Sequence, residues 1–292
     1  MSESLILSGK EVSASVYDEL GDRIGTLFDN NIIPGLAVVL VGEDPASQVY
    51  VRSKTRIFNK LKLHTKTYEL PSNVTEEKLL SLIIELNDDP TFHGILVQLP
   101  LPRHISSDKV INSILPQKDV DGFHPENAGL LSIGRPRFIP CTPKGIMRIL
   151  QHYQIDLREK HVVVLGRSNI VGRPISILTS LKTEGANGTT TLCHSGTPNI
   201  ESYTKNACVI IVALGVPGFL TSDMVKDNAV VVDVGINRID NVSDKGYKLV
   251  GDVEWEGVSR KVSAITPVPG GVGPMTIAML VENTIEAAEN FN

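Results

Sequence analysis

Apolar residues fall into two kinds of run along this chain. Leu36 to Val41 is an unbroken, largely β-branched run, the pattern of a strand buried on both faces of a parallel sheet. Before it, Ser8 with Glu11 forms a capping-box pattern that predicts a helix to about Asn30. After it, Asp44-Pro45 places an N-cap ahead of proline at the first helical position, which predicts a helix to about Leu61. Thr65 to Leu70 reads as a strand, Thr75 to Asn87 as a helix and Gly94 to Gln98 as a second buried strand. Such alternation implies an α/β layer structure. From Leu99 to Pro140 the pattern loosens into a segment rich in proline and glycine that carries Lys118-Asp119-Val120-Asp121-Gly122-Phe123-His124, and long irregular segments are often functional. Thr142-Pro143 opens a further helix. Strands near 161–165, 189–194, 208–213, 230–234 and 262–266 follow, in the manner of a doubly wound parallel sheet. Apolar spacing at Ile277, Leu280, Val281 and Ile285 predicts a last helix from Pro274 to Glu289.

A chain of 292 residues exceeds the size at which one hydrophobic core stops growing, so two domains are expected. The boundary is placed near residue 145. Residues 1–145 form a first α/β domain and 146–273 a Rossmann-like dinucleotide domain, with the helix 274–292 packing back on the first. The net charge of -5 comes from interspersed acids and bases, which argues against a nucleic-acid partner. No stretch reaches the roughly 18 apolar residues that span a bilayer, and the start MSESLILSGKEV lacks the pattern of a leader, so a cytoplasmic protein without a membrane partner is expected. Cys141, Cys193 and Cys208 contain no CxxC pair, and Cys193 and His194, adjacent on a strand, point to opposite faces. No metal site is expected.

The candidate chemistry begins where the strand ending at Leu165 runs into Gly166-Arg167-Ser168-Asn169-Ile170-Val171-Gly172-Arg173-Pro174. A glycine-bearing turn between a strand and a helix N-terminus lets backbone N–H groups meet a pyrophosphate. The pattern is not a regular GxGxxG, because Ser168 takes the second glycine position and the last glycine comes one residue late; a merely tight turn would also explain it. The next strand ends in Cys193-His194-Ser195-Gly196, without the carboxylate that usually holds the ribose of NAD. With Arg167 available to attract a 2′-phosphate, NADP is expected over NAD, the alternative being that Arg167 is a solvated surface residue.

Several blocks then converge: YVRSK at 50–54, GILVQLPLP at 94–102, KDVDGFHPENAG at 118–129, PCTPKGIM at 140–147, GRSNIVGRP at 166–174, VDVGIN at 232–237, GDVEW at 251–255 and ITPVPGGVGPMT at 265–276. In this order and over nearly the whole chain, the sequence closely resembles the bifunctional methylenetetrahydrofolate dehydrogenase/cyclohydrolases. The resemblance implies a folate-binding first domain, an NADP-binding second domain, an active-site cleft between them and a homodimer. It implies that Tyr50, Lys54, Gln98 and Asp121 line the folate site, that Pro269, Gly270 and Gly273 form a loop closing over it, and that Gly166, Arg167, Ser168, Ser195 and Ile236 hold the cofactor. Two features depart from the family pattern. Gly196 stands where many members carry a basic residue, and Lys182 to Thr190 is a few residues longer than usual, which predicts a surface loop.

These residue types suit the implied chemistry. Hydride transfer from methylenetetrahydrofolate leaves a cation shared by two nitrogens and needs alignment more than proton transfer. Attack of water on that cation needs a base or polarising group. Tyr50 and Lys54, four apart on the helix opened by Pro45, share one face. A desolvated Lys54 would have a lowered pKa, Gln98 could hold it by its amide, and Asp121 could accept hydrogen bonds from pterin N–H groups. Tyr50, Lys54 and Gln98 are therefore the candidate catalytic residues. Asp119 could be a loop-capping residue. Two other readings exist: a shikimate-type dehydrogenase of a small hydroxy acid, and a non-catalytic nucleotide-binding module. The blocks KDVDGFHPENAG and PVPGGVGPMT argue against the first, and the presence of both Lys54 and Gln98 against the second.

Overall fold

The computed structural model describes residues 4–240 and 247–291. In chain order the elements are β1 (Leu5–Ile6), α1 (Gly9–Asp29), β2 (Gly35–Val41), α2 (Pro45–Lys60), β3 (His64–Leu70), α3 (Glu76–Asp88), β4 (Gly94–Val97), α4 (Ser107–Ser113), α5 (Pro125–Ser132) and α6 (Cys141–His152). They continue with β5 (His161–Leu165), α7 (Gly172–Ser180), β6 (Thr189–Cys193), α8 (Ile200–Thr204), β7 (Val209–Val212), β8 (Val230–Asp233), β9 (Asn237–Asp240), β10 (Tyr247–Val250), α9 (Trp255–Val258), β11 (Ala264–Ile265) and α10 (Val272–Glu289).

Two compact units result, and the cut is not a single one. One unit comprises Tyr17–Cys141 with Ile277–Asn292, the other Met1–Val16 with Thr142–Thr276. The first sixteen residues thus leave the N-terminal domain expected from the sequence. The physical reason is backbone pairing: β1 lies parallel to β11, with Leu5 N–H donating to Ser263 O and Leu7 N–H to Ile265 O, both at 2.9 Å.

In the first unit, β2 is the middle strand of a three-stranded parallel sheet of order β3-β2-β4. All seven β2 residues are buried, which accounts for the absence of polar alternation in its sequence. The Lys118–Val120 segment extends the sheet beyond β4, since Ile95 N–H donates to Lys118 O at 2.8 Å. The loosely patterned stretch between residues 99 and 140 contains two helices that apolar spacing did not reveal, α4 and α5, each opened by a side-chain cap from Ser106 or His124.

In the second unit a six-stranded, wholly parallel sheet has the order β1-β11-β8-β7-β5-β6. Its core gathers Val163, Leu165, Ile210, Val212, Val231, Val258 and Ile265, all fully buried. The antiparallel pair β9-β10 was not anticipated from the sequence. Residues 181–188, linking α7 to β6, form the turn-rich segment expected around Lys182, with Lys182, Thr183 and Glu184 exposed.

The capping box at α1 forms by half. Ser8 Oγ accepts the Glu11 N–H at 3.3 Å, but the Glu11 carboxylate takes the Tyr153 hydroxyl at 3.3 Å while Tyr153 Oη accepts the Ser8 N–H at 3.0 Å. The tyrosine thus meets the Ser8 donor that the box would assign to the glutamate.

Candidate active site

Helix α2 begins where Asp44 Oδ2 accepts the Ser47 N–H at 2.8 Å and Pro45 supplies a preset φ. Its buried face carries Ser47, Val51, Lys54 and Phe58, so a lysine occupies a core-facing position in an apolar series. Lys54 is only 7% exposed. A buried ammonium is expensive, and here two groups meet it. Lys54 Nζ donates to Gln98 Oε1 at 3.0 Å, and the Asp121 carboxylate interacts with it electrostatically. Gln98 sits at the end of β4, pinned by its N–H to Val39 O at 2.9 Å. Its Nε2 donates to Leu99 O at 2.8 Å, which turns Oε1 toward the lysine. The Leu99–Pro100 bond is cis.

Burial pushes the Lys54 pKa down, opposed by the charge of Asp121. Burial pushes the Asp121 pKa up, opposed by the charge of Lys54. Burial also raises Tyr50, half-buried one helical turn before Lys54. The proton affinities of Lys54 and Asp121 are therefore displaced toward each other, as at many functional sites, while that of Tyr50 is raised. Tyr50, Lys54, Gln98 and Asp121 all belong to the first unit.

Other polar residues of the 118–129 block have structural partners. Lys118 Nζ donates to Leu86 O at 3.1 Å and Asp89 O at 2.7 Å. Asp119 Oδ2 accepts from the His124 N–H and from Asn127 Nδ2, both at 2.8 Å, which makes it the loop-capping residue. A residue that sequence patterns did not flag is Asn283, fully buried in α10. Its Nδ2 donates to Val120 O at 2.7 Å and Ile139 O at 3.0 Å, fixing the backbone on the N-terminal side of Asp121 and of Cys141. A polar residue at a core position was the only available signal.

The second unit carries the remaining candidates. Gly166 has a φ of +110°, and a Cβ there would lie 2.2 Å from Ala213 O, so only glycine fits this turn. Gly166 N–H donates to Cys193 O at 2.9 Å, which brings the end of β5 beside the end of β6. Arg167, Ser168, Ser195 and Gly196 are exposed around it, and no carboxylate follows β6 before Glu201. Ser168 has a local task as well: its Oγ accepts the Val171 and Gly172 N–H groups at 3.2 and 3.3 Å, capping the first turn of α7. A backbone cradle, an exposed guanidinium and hydroxyls at the strand ends fit a phosphorylated dinucleotide. Ile236 is 45% exposed. A Cβ on Gly273 would lie 3.4 Å from Ile236 Cδ1. The loop Pro269, Gly270 and Gly273 thus belongs to the unit that carries the glycine turn, held by Lys10 N–H to Gly270 O at 3.1 Å. Among the described residues no group of three or more His, Cys, Asp or Glu could hold a metal ion, and no helix is long and apolar enough to cross a membrane.

Comparison with known proteins finds matches over nearly the whole chain. Residues 7–121 match the family model "Tetrahydrofolate dehydrogenase/cyclohydrolase, catalytic domain", and residues 140–292 match the corresponding NAD(P)-binding domain. A bifunctional FolD protein of Chlorobium limicola is 53% identical over 292 residues, covering 99% of both chains. The crystal structure of FolD, a methylenetetrahydrofolate dehydrogenase/cyclohydrolase from Campylobacter jejuni, is 49% identical, with a TM-score of 0.92 over 98% of this chain and 99% of that one. That of the Trypanosoma brucei enzyme, complexed with NADP and an inhibitor, is 35% identical with a TM-score of 0.94 over 99% and 98%. A shikimate 5-dehydrogenase from Thermus thermophilus, 13% identical with a TM-score of 0.52, shares the fold alone. The chain belongs to the tetrahydrofolate dehydrogenase/cyclohydrolase family.

Proposed function

We propose that this enzyme oxidises 5,10-methylenetetrahydrofolate with NADP and hydrolyses the resulting 5,10-methenyl compound to 10-formyltetrahydrofolate. The observation that carries the reading is the buried Lys54, its amine on Gln98 Oε1 at 3.0 Å with Asp121 as the nearby carboxylate. Asp121 accepts hydrogen bonds from pterin N–H groups, and Tyr50 lines the same face of α2. Pro269, Gly270 and Gly273 supply a loop of low bulk against the flat ligand.

Bound NADP supplies the hydride acceptor. For that step the chain aligns its substrate, and no side chain exchanges a proton at the reacting carbon. Hydrolysis differs. Lys54, whose pKa burial pushes down, acts in its neutral form to take a proton as water attacks the methenyl carbon. Gln98 holds that amine in place, and the hydroxyl proton of the adduct is then passed to N5 as the carbon–N5 bond opens, leaving the formyl group on N10. Arg167 and Ser195 would hold the 2′-phosphate of the cofactor, and Gly166 and Ser168 its pyrophosphate, with Ile236 a further contact. The folate-binding domain is assigned to Tyr17–Cys141 with Ile277–Asn292, and the dinucleotide domain to Thr142–Thr276 together with the first sixteen residues. A homodimer in the cytoplasm completes the proposal, with no nucleic-acid partner.

The test is direct. With methylenetetrahydrofolate the purified protein should reduce NADP with a higher kcat/KM than NAD, and with methenyltetrahydrofolate it should accelerate hydrolysis without any dinucleotide. A higher kcat/KM for NAD would overturn the cofactor assignment, and buffer-rate hydrolysis would overturn the second activity.

A further inference from the structure

Asp233 and Asp252 are two buried carboxylates of the second unit that neither hydride transfer nor hydrolysis uses, at 3% and 0% exposure. Among the described residues neither forms an ion pair. Their oxygens are occupied by N–H donors instead. Asp233 Oδ1 accepts from the Gly235 and Asp252 N–H groups, both at 2.9 Å, and its Oδ2 from Val253 N–H at 3.1 Å. Asp252 Oδ2 accepts from Leu214 N–H at 2.7 Å and Gly215 N–H at 2.8 Å, and its Oδ1 accepts from Asn237 Nδ2 at 2.8 Å. The space is cut to fit: a Cβ on Gly235 would lie 2.3 Å from Asp252 Oδ1, and one on Gly251 would lie 1.7 Å from Asp233 Oδ2.

The position of these bonds gives them a role. The chain leaves β5 for β6 on one side and later returns to β7 on the other, so the topological switch point of the sheet lies between β5 and β7. Ligands of such sheets sit beyond the strand ends at that point. The two loops there are the Gly166 turn and the segment that starts at Ala213, joined by Ala213 N–H to Leu165 O at 2.8 Å. Leu214 and Gly215 are the next residues of the second loop, and Val216 after them is 47% exposed. Asn237 directly follows the exposed Ile236. A single carboxylate therefore ties the loop after β7 to the strand that starts beside Ile236.

We propose that Asp252 is a positioning residue for the dinucleotide: its two oxygens lock the Leu214–Gly215 backbone to Asn237, so that the β7 side of the switch-point crevice and the segment beside Ile236 keep one shape. Asp233 supports it by accepting the Asp252 and Val253 N–H groups. This rests on the dinucleotide lying at the ends of β5 and β7. Replacing Asp252 by Ala leaves the Leu214 and Gly215 donors without their acceptor and frees the loop. Asparagine can retain the arrangement, with its Oδ1 accepting from Leu214 and Gly215 and its Nδ2 donating to Asn237 once that amide turns over.

The experiment compares Asp252→Ala, Asp252→Asn and Arg167→Ala in the full-length enzyme, measuring KM for NADP and kcat of the dehydrogenase, and hydrolysis of methenyltetrahydrofolate without dinucleotide. Asp252→Ala should raise KM for NADP by about tenfold or more, the scale expected from losing charge-assisted hydrogen bonds. Asp252→Asn should stay within about threefold of wild type, since its hydrogen bonds persist. Hydrolysis should be retained in both, which a general collapse of the fold would not allow. An unchanged KM in Asp252→Ala, equal effects of Ala and Asn, or parallel loss of both activities would overturn the positioning role. If Arg167→Ala also left KM for NADP unchanged, the placement of the dinucleotide itself would fall, and the role of Asp252 with it.

Discussion

Lys54 and Arg167 are both cations at a candidate site, and their surroundings are opposite. Lys54 is buried, hydrogen-bonded to Gln98 and faced by Asp121, with its pKa pushed down. Arg167 is exposed beside a backbone turn. A lysine whose charge is made costly by burial gives up its proton more readily than a solvated one, whereas a guanidinium offers a planar fork for binding an anion. On the proposed assignment, the chain uses a desolvated side-chain cluster where a proton must move, and backbone geometry with a solvated cation where a phosphate must be held.

The largest effect that would break this contrast is on hydrolysis. Lys54→Met should lower methenyl hydrolysis by about a hundredfold or more, the lower range for lost acid–base assistance. In wild type the hydrolysis rate should climb as pH rises through the lowered pKa of Lys54, because the neutral amine is the active form. That limb should vanish in the variant, and a pH–rate profile unchanged by the substitution would remove Lys54 from proton transfer.

Next in size is Arg167→Ala, which should cut kcat/KM for NADP by roughly ten- to a hundredfold, as expected for a lost charge-assisted hydrogen bond. NAD kinetics should hardly move, and an equal loss for both dinucleotides would show that Arg167 does not read the 2′-phosphate. Asp121→Asn should then weaken folate binding about tenfold, since one acceptor becomes a donor toward pterin N–H groups. Titration of the apoenzyme with folate ligand measures it, and an unchanged dissociation constant would make Asp121 a loop residue.

These sites were not equally legible in the sequence. Strands β2, β4 and β5 and helix α2 carry local signals, unbroken apolar runs and an Asp-Pro cap, that decide their structure within a few residues. Strand β1 does not: it is two residues long, and its partner β11 lies near the far end of the chain. Helices α4 and α5 are too short to establish a period. Lys54 and Asp121 stood out through the family blocks, whereas spacing alone could not distinguish Lys54 from a surface lysine. Asn283 and Asp252 did not stand out as site residues because most of their partners are backbone groups distant in sequence, which no side-chain pattern encodes. Ser168, expected at the cofactor, also closes the first turn of α7 with its hydroxyl.

A smaller effect tests the buried support behind Asp121. Asn283→Ala leaves Val120 O and Ile139 O without their amide donor, at about 1–3 kcal/mol for unsatisfied buried groups. The melting temperature should fall by several degrees with NADP affinity unchanged. Wild-type thermal stability in the variant would show that water replaces the amide at no cost.

The division of labour is measured most directly in one cuvette, with methylenetetrahydrofolate and NADP, by following the methenyl compound and reduced dinucleotide together. In Lys54→Met, the methenyl compound should accumulate nearly one for one with the NADPH formed, apart from slow background hydrolysis. In Arg167→Ala both signals should slow while their ratio stays at the wild-type value. The same ratio in the two variants would contradict the assignment of the proton step to Lys54 and of cofactor binding to Arg167.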